Sequence, residues 1–261
     1  MVDWYIGTMG FSYSDWSGVF YPTGLASRNY LSFYSQHFNA AEVDSTFYGT
    51  PRPGVVQRWD AITPDKFKIC AKTPKTITHD LRLVNAMEEM NAYLRVMSLL
   101  GDKLGIILIQ FPPSYGADEF SSLASFLSKL PEEFRFAVEF RNGSWYTPET
   151  AELLAKNNIC WAATEYAQLP KKVEVTTDFL YIRFIGQHGR FNQHDRVRID
   201  MGANLDWWWK RILSLADRVA AVYGFFNNDY SGFAPATANR FKAMAGLPVE
   251  TTSPPKQERL F

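Results

Sequence analysis

Short apolar runs alternate with amphipathic stretches along the chain. Eight of the runs read as strands: WYIGT, AAEVDS, KFKICAK, LGIILIQF, FRFAVEFR, CWAATE, FLYIRFIG and AAVYGFFNN. Most are followed by a segment of helical spacing, such as RNYLSFYSQHF, PGVVQRWDAI, MEEMNAYLRVMSLL, EFSSLASFLSKL, PETAELLAKNN, LDWWWKRILSLA and ATANRFKAMAG. Eight strand–helix units in 261 residues match the count of an α/β TIM (β/α)8-type barrel with parallel strands. A doubly wound open sheet is the competing architecture, and it too would bind ligand at the carboxyl ends of its strands. After CWAATE, the stretch YAQLPKKVEVTTD has no helical period, so the sixth helix is expected to be short or missing. One barrel domain is expected over residues 1–248, followed by an extended Pro-rich tail over 249–261.

Residues two apart on a strand share a face. Glu42 and Asp44 therefore pair in phase, as do Lys68, Cys70 and Lys72, and Ile106, Leu108 and Gln110. Ala137, Glu139 and Arg141 oppose Phe136, Val138 and Phe140, which are expected to face the helices. Tyr181 and Arg183 oppose Leu180, Ile182 and Phe184, and the last run ends in Asn227 and Asn228. Parallel strands buried on both faces should read as nearly continuous hydrophobics. These begin that way and turn polar at their carboxyl ends, where barrels build their sites. Lone buried charges are costly, so Glu42, Lys72, Glu139, Arg141 and Arg183 are expected to form a mutually neutralising network around the mouth. Such a network could merely fill the top layer of the barrel. Aliphatic side chains would fill that space at lower cost, which favours a site.

Composition narrows the choice of partners. The net formal charge is zero, so no global electrostatic footprint points to nucleic acid or an anionic membrane surface. Aromatic residues make up 16% of the chain and often fall in turn-like segments. Trp16, Tyr48 and Trp145 are therefore expected to stack on a ligand ring, with Trp145 overhanging the opening. Cys70 and Cys160 lie in apolar runs and read as reduced, buried thiols of a cytoplasmic protein. No signal segment is visible, and the longest apolar run is too short to span a membrane.

Other candidates lie off the strands. His79, in KTPKTITHD, can be read as a general acid/base, as a metal ligand or as a loop histidine held for shape. With four histidines in the chain, a histidine-rich zinc centre is poorly supported, while one divalent ion held by carboxylates and His79 stays open. No nucleotide-cofactor motif is present. RFIGQHGRFNQHDRVR is locally basic and follows the seventh run, where barrels often hold phosphate; Arg196 and Arg198 read as solvated, and Arg183 as part of the strand. Trp207, Trp208 and Trp209 cannot all face one way on a helix. The terminal QERLF resembles the short peptides with which DNA-processing proteins dock onto a sliding clamp, with Gln257, Leu260 and Phe261 as anchors; folding back onto the body is the alternative.

Taken in order, GTMGFSYSDWSGVFYP, EVDSTFYGTP, FKICAKTPKTITHD, ILIQFPPSY, VEFRNGSWY, YIRFIG and FFNNDYSGFAPATA resemble the YecE-like family, filed as domain of unknown function 72. The resemblance runs from Gly7 to Ala238 and implies a TIM barrel without implying a reaction. It places the family's polar positions on Glu42, Lys72, His79, Gln110, Glu139, Arg141, Arg183, Asn227 and Asn228. Asp44 stands where the family commonly has asparagine, and Ile185 and Asp229 stand where it commonly has histidine. The loss of two imidazoles weakens any mechanism or metal site that needs them. In the first functional reading, an enzyme acts on a phosphate- or sugar-bearing substrate, including one within nucleic acid. Glu139, Glu42, His79 and Lys72 would be catalytic, and Arg141, Arg183, Gln110, Asn227, Asn228, Asp44, Trp16, Tyr48 and Trp145 would bind substrate. The alternatives are a small-molecule hydrolase, isomerase or lyase for a phosphorylated or polyhydroxy metabolite, and a non-catalytic binding module.

Overall fold

A computed structural model describes residues 2–249. The strands are β1 (Asp3–Thr8), β2 (Ala40–Val43), β3 (Lys68–Lys72), β4 (Leu104–Gln110), β5 (Arg135–Glu139), β6 (Cys160–Trp161), β7 (Ala163–Glu165), β8 (Phe179–Phe184) and β9 (Ala221–Phe226). All pair in parallel, in two sheets of order β1-β9-β8-β7 and β2-β3-β4-β5-β6. The helices are α1 (Tyr30–His37), α2 (Pro53–Ile62), α3 (Met87–Met97), α4 (Phe120–Leu127), α5 (Pro148–Lys156), α6 (Gly202–Leu213), α7 (Asn228–Ser231) and α8 (Ala234–Met244). Parallel neighbours need long crossovers, and helices between successive strands supply most of them. No helix occupies residues 166–178, in keeping with the missing helical period there.

In place of the expected eight-stranded ladder, the described residues form nine strands in two sheets. CWAATE divides at Ala162, whose N–H donates to Val138 O at 2.9 Å. Between β1 and β2, side chains take the place of the backbone ladder. Asn39 accepts from Ile6 N (3.0 Å) and donates to Trp4 O (2.7 Å), while the Tyr34 hydroxyl accepts from Thr8 N (2.7 Å) and donates to Ala40 O (3.1 Å). One isolated bridge, Met9 with Glu42, adjoins this seam. Gly7 permits the close approach, because a Cβ there would lie 1.9 Å from Ala40 O.

The strand phases sort into two cores. Phe136, Val138, Phe140, Ile182 and Phe184 join the larger cluster with the apolar faces of the helices. Ala40, Cys70, Ile106, Leu108, Ala137, Cys160, Tyr181 and Tyr223 form a second cluster drawn from both sheets. Glu42, Lys72, Gln110, Glu139 and Arg183 continue this second phase at the carboxyl ends. The inner core thus ends in a polar layer.

Other expectations have plain outcomes. Both cysteines are free and buried. Trp208 is core, Trp209 packs against Trp4 and Phe241, and Trp207 is exposed. Among the described residues no helix is long and apolar enough to cross a membrane. Gln257, Leu260 and Phe261 lie outside the described residues.

Candidate functional site

Arg183, 4% exposed, joins the two sheets. It sits on β8, and its guanidinium reaches carboxylates from β2 and β5. Nε donates to Glu42 Oε1 and Oε2 (3.1 and 2.9 Å), and Nη2 donates to Glu42 Oε1 (2.7 Å) and Asp44 Oδ1 (3.3 Å). Nη1 donates to Glu139 Oε2 at 2.7 Å. The Tyr181 hydroxyl, two residues earlier in the same phase, donates to Glu42 Oε2 at 2.6 Å. Arg141 Nε donates to the remaining oxygen of Glu139, and its guanidinium lies 4.6 Å from the ring centre of Tyr166. The planar fork of arginine suits this bridging.

The two glutamates are both 0% exposed, yet their carboxyls are shifted in opposite directions. Burial pushes the Glu42 carboxyl up to about 7; the single guanidinium of Arg183 opposes this, and the nearby charge of Asp44 adds to it. Burial also works against ionisation of Glu139, but Arg141 and Arg183 together overcome it and hold that carboxyl down to about 2. The difference is one of partners: Glu139 has two guanidiniums, while Glu42 shares one with two other carboxylates. Burial also works against the charge on Arg183, and the surrounding carboxylates keep it protonated.

Lys72 ends β3 beside this network. Its Nζ lies 3.7 Å from the ring centre of Phe47 and, among the described residues, has no ion-pair or hydrogen-bond partner. Burial and the charge of Arg183 lower its ammonium to about 8, against the pull of Asp44, Glu139 and Glu42. The Phe47 ring also packs against His79, 4.9 Å between centroids. His79 is half-buried on a π-helical turn, Thr76–Asp80, with Nδ1 2.8 Å from Thr78 Oγ1. Burial and then Lys72 hold its imidazole below the usual range, so it is neutral at pH 7. Left-handed backbone follows at Arg82, Leu83 and Asn85, with Arg82 tied to Glu119 and Ser114. Such conformations in non-glycine residues need support from the surrounding structure.

The structure corrects several expected roles. Trp16 and Trp145 are 0% exposed and cannot stack on a ligand. Trp16 packs among Tyr13, Phe20 and Phe233 and donates to Asn228 Oδ1 (3.2 Å). Trp145 stacks with Phe140 and Tyr115 and donates to Tyr115 O (2.7 Å), so it supports the mouth from within the core. Asn228 Oδ1 also accepts from Ala234 N (3.0 Å), which makes Asn228 a brace for α8. Asn227 caps α7 through Asp229 N. Arg183 has its donors engaged by carboxylates and organises the site without being free to clamp an anion. Gln110 is in register with Glu139 and donates to Phe111 O. Tyr48 is 82% exposed and lines a cleft of about 280 Å³ with Gly10, Tyr13, Val43 and Asp44. Among the described residues no group of three or more His, Cys, Asp or Glu side chains is placed to hold a metal ion.

Phe47, Tyr166 and the bond from Tyr181 to Glu42 were not assigned from sequence. Tyr181 carries a usable signal, being in phase with Arg183. Phe47 and Tyr166 lie beyond strand ends, where periodicity no longer indicates direction.

Residues 5–259 match the family described as Protein of unknown function DUF72. The chain belongs to that family. It is 35% identical to the UPF0759 protein YecE of Escherichia coli K12 over 142 residues, 54% of this chain and 50% of that protein, so the match spans about half the length of that relative. It is 26% identical to the UPF0759 protein YunF of Bacillus subtilis over 98% of this chain and 99% of that one. A DUF72 family protein of known structure from Thermotoga maritima has a TM-score of 0.80 at 31% identity, covering 94% of this chain and 99% of that chain. One from Enterococcus faecalis, 20% identical, has a TM-score of 0.76 with 95% and 99% coverage, a likeness of fold alone.

Proposed function

We propose that this DUF72 protein is an enzyme that transfers protons on a small phosphate- or sugar-bearing substrate. Glu42 gives and takes the proton, Lys72 faces the substrate, and Glu139 stays ionised to fix Arg183 and Arg141. One observation carries this reading: two fully buried carboxylates share one arginine and are shifted in opposite directions, Glu42 up to about 7 and Glu139 down to about 2. A carboxyl poised near the operating pH is suited to proton transfer, and the splitting of such a pair is a mark of acid/base sites. In the same reading the two sheets are halves of one (β/α)8-type barrel. Ala162 carries the chain from one half to the other, and the Met9–Glu42 bridge adjoins the second seam. His79, neutral and behind Phe47, serves as the second proton-transfer group at the rim.

A small substrate is favoured over nucleic acid. Arg183 and Arg141 are engaged by carboxylates, which leaves little free positive charge for a phosphate backbone. The cleft beside Asp44 and Tyr48 is close to small-ligand size. The test is a screen of phosphosugars and polyhydroxy acids for turnover, repeated with Glu42→Gln. Turnover lost in the variant while ligand binding remains supports the reading. Equal turnover in both proteins removes Glu42 from the chemistry. Binding of model DNA or RNA at low salt, falling steeply as salt rises, would reinstate the nucleic-acid alternative.

A further inference from the structure

Lys72 is more than a counter-charge. Its backbone is clamped: the carbonyl oxygen accepts from Thr46 Oγ1 (2.7 Å) and from the Tyr93 hydroxyl (3.2 Å), both buried. The 3₁₀ turn Ser45–Tyr48 that supplies Thr46 also supplies Phe47, whose ring seats the amine. The strand end is therefore fixed, and Lys72 as a whole is 9% exposed. Yet Nζ has no ion-pair or hydrogen-bond partner among the described residues and is not one of the sealed polar atoms, so it meets solvent at the mouth. Three carboxylates act on it from nearby, and all three are bonded to Arg183. A lysine kept only to neutralise them would be expected to pair with one. Lys72 is thus a buried residue with a clamped backbone, whose amine has no bonding partner among the described residues and lies beside a proton-transfer group.

We infer that Lys72 is a nucleophile that forms a Schiff base with the carbonyl carbon of an open-chain sugar or sugar phosphate. The inference rests on the proton-transfer site proposed above and names its substrate class. The free amine donates its lone pair to the carbonyl carbon as the C–O π bond opens, and the carbonyl oxygen takes the proton that the attacking nitrogen gives up, which leaves a neutral carbinolamine. Glu42 in its acid form protonates the departing hydroxyl, water leaves, and the protonated imine remains; no oxidant or reductant is consumed. Burial supports the chemistry, since a lysine at about 8 is about one-quarter free amine at pH 7.5, against about one part in a thousand for an exposed lysine.

The test is reductive trapping of the full chain. Glycolaldehyde, which needs no phosphate recognition, and D-glyceraldehyde 3-phosphate are each added with sodium cyanoborohydride, and the adducts are mapped by mass spectrometry. The expected result is one dominant adduct, on Lys72, formed at least tenfold faster than at any other lysine and rising with pH to a midpoint near 8. Lys72→Arg, which keeps a cation over Phe47, should lose that adduct while its thermal melt stays close to the parent. Glycolaldehyde labelling Lys72 no faster than surface lysines such as Lys75 or Lys129 would overturn the proposal. Calorimetry with the same sugar phosphate, without reductant, separates the two claims. Binding without trapping overturns the Schiff base and leaves the acid/base reading standing, whereas trapping by glycolaldehyde alone supports the nucleophile and counts against phosphate recognition.

Discussion

Replacing Arg183 by Met removes the one side chain, among the described residues, that bonds both buried glutamates. Among the described residues, Glu42 then has no guanidinium partner and Glu139 keeps Arg141. Breaking a buried pair by removing one partner costs about 3–5 kcal/mol, because the remaining charge stays desolvated. At roughly 2 °C per kcal/mol for a chain of this length, the melting temperature should fall by about 6–10 °C at pH 8. The loss should depend on pH. Arg183 is the group that pulls the Glu42 carboxyl downward, so without it Glu42 binds a proton even more readily. In acid the orphaned carboxyl is neutral and its burial costs less. Thermal melts of parent and variant from pH 5 to pH 8 should thus show a deficit that widens as pH rises. A melting temperature within a degree of the parent at pH 8 would refute the buried-network argument. An equal deficit at pH 5 and pH 8 would refute the assignment of the pH-sensitive charge to Glu42.

Glu139 should act oppositely. Its folded value of about 2 lies below the ordinary 4.5, so the unfolded chain binds more protons between those values. Its contribution, about 3 kcal/mol, is present above pH 4.5 and lost as pH falls toward 2, and Glu139→Gln should flatten that acid limb in denaturant titrations. Trp145→Ala should destabilise by about 3–5 kcal/mol as a core truncation, while Tyr48→Ala should leave the melt unchanged and weaken ligand binding, as calorimetry would show. Gly7→Ala should destabilise by several kcal/mol in chemical unfolding, since the new Cβ meets the Ala40 carbonyl oxygen at 1.9 Å.

Much of the site could be read from strand phase. A period of two places Glu42, Lys72, Gln110, Glu139 and Arg183 on one side and Phe136, Val138 and Phe140 on the other, and the two cores separate along that line. Phase does not say how donors are shared. Arg183 therefore reads from sequence as an anion clamp, while in the fold the carboxylates take its donors. Nor does phase extend past a strand end. Trp16 and Trp145 lie on turns that fold back into the core, and only their contacts show it. The seam between β1 and β2 had no sequence signature, because Asn39 and Tyr34 come from the preceding turn and helix and resemble ordinary polar and core residues until they meet the strands.

The central claim is that Glu42 and Glu139, on one arginine, are shifted in opposite directions, Glu42 up and Glu139 down. Carbon-13 NMR of the glutamate carboxyls, assigned with Glu42→Gln and Glu139→Gln, measures both directly. The account expects the Glu42 carboxyl to titrate with a midpoint near 7, and the Glu139 carboxyl to remain ionised until pH approaches 2. Two carboxyls titrating together near 4.5 would contradict it.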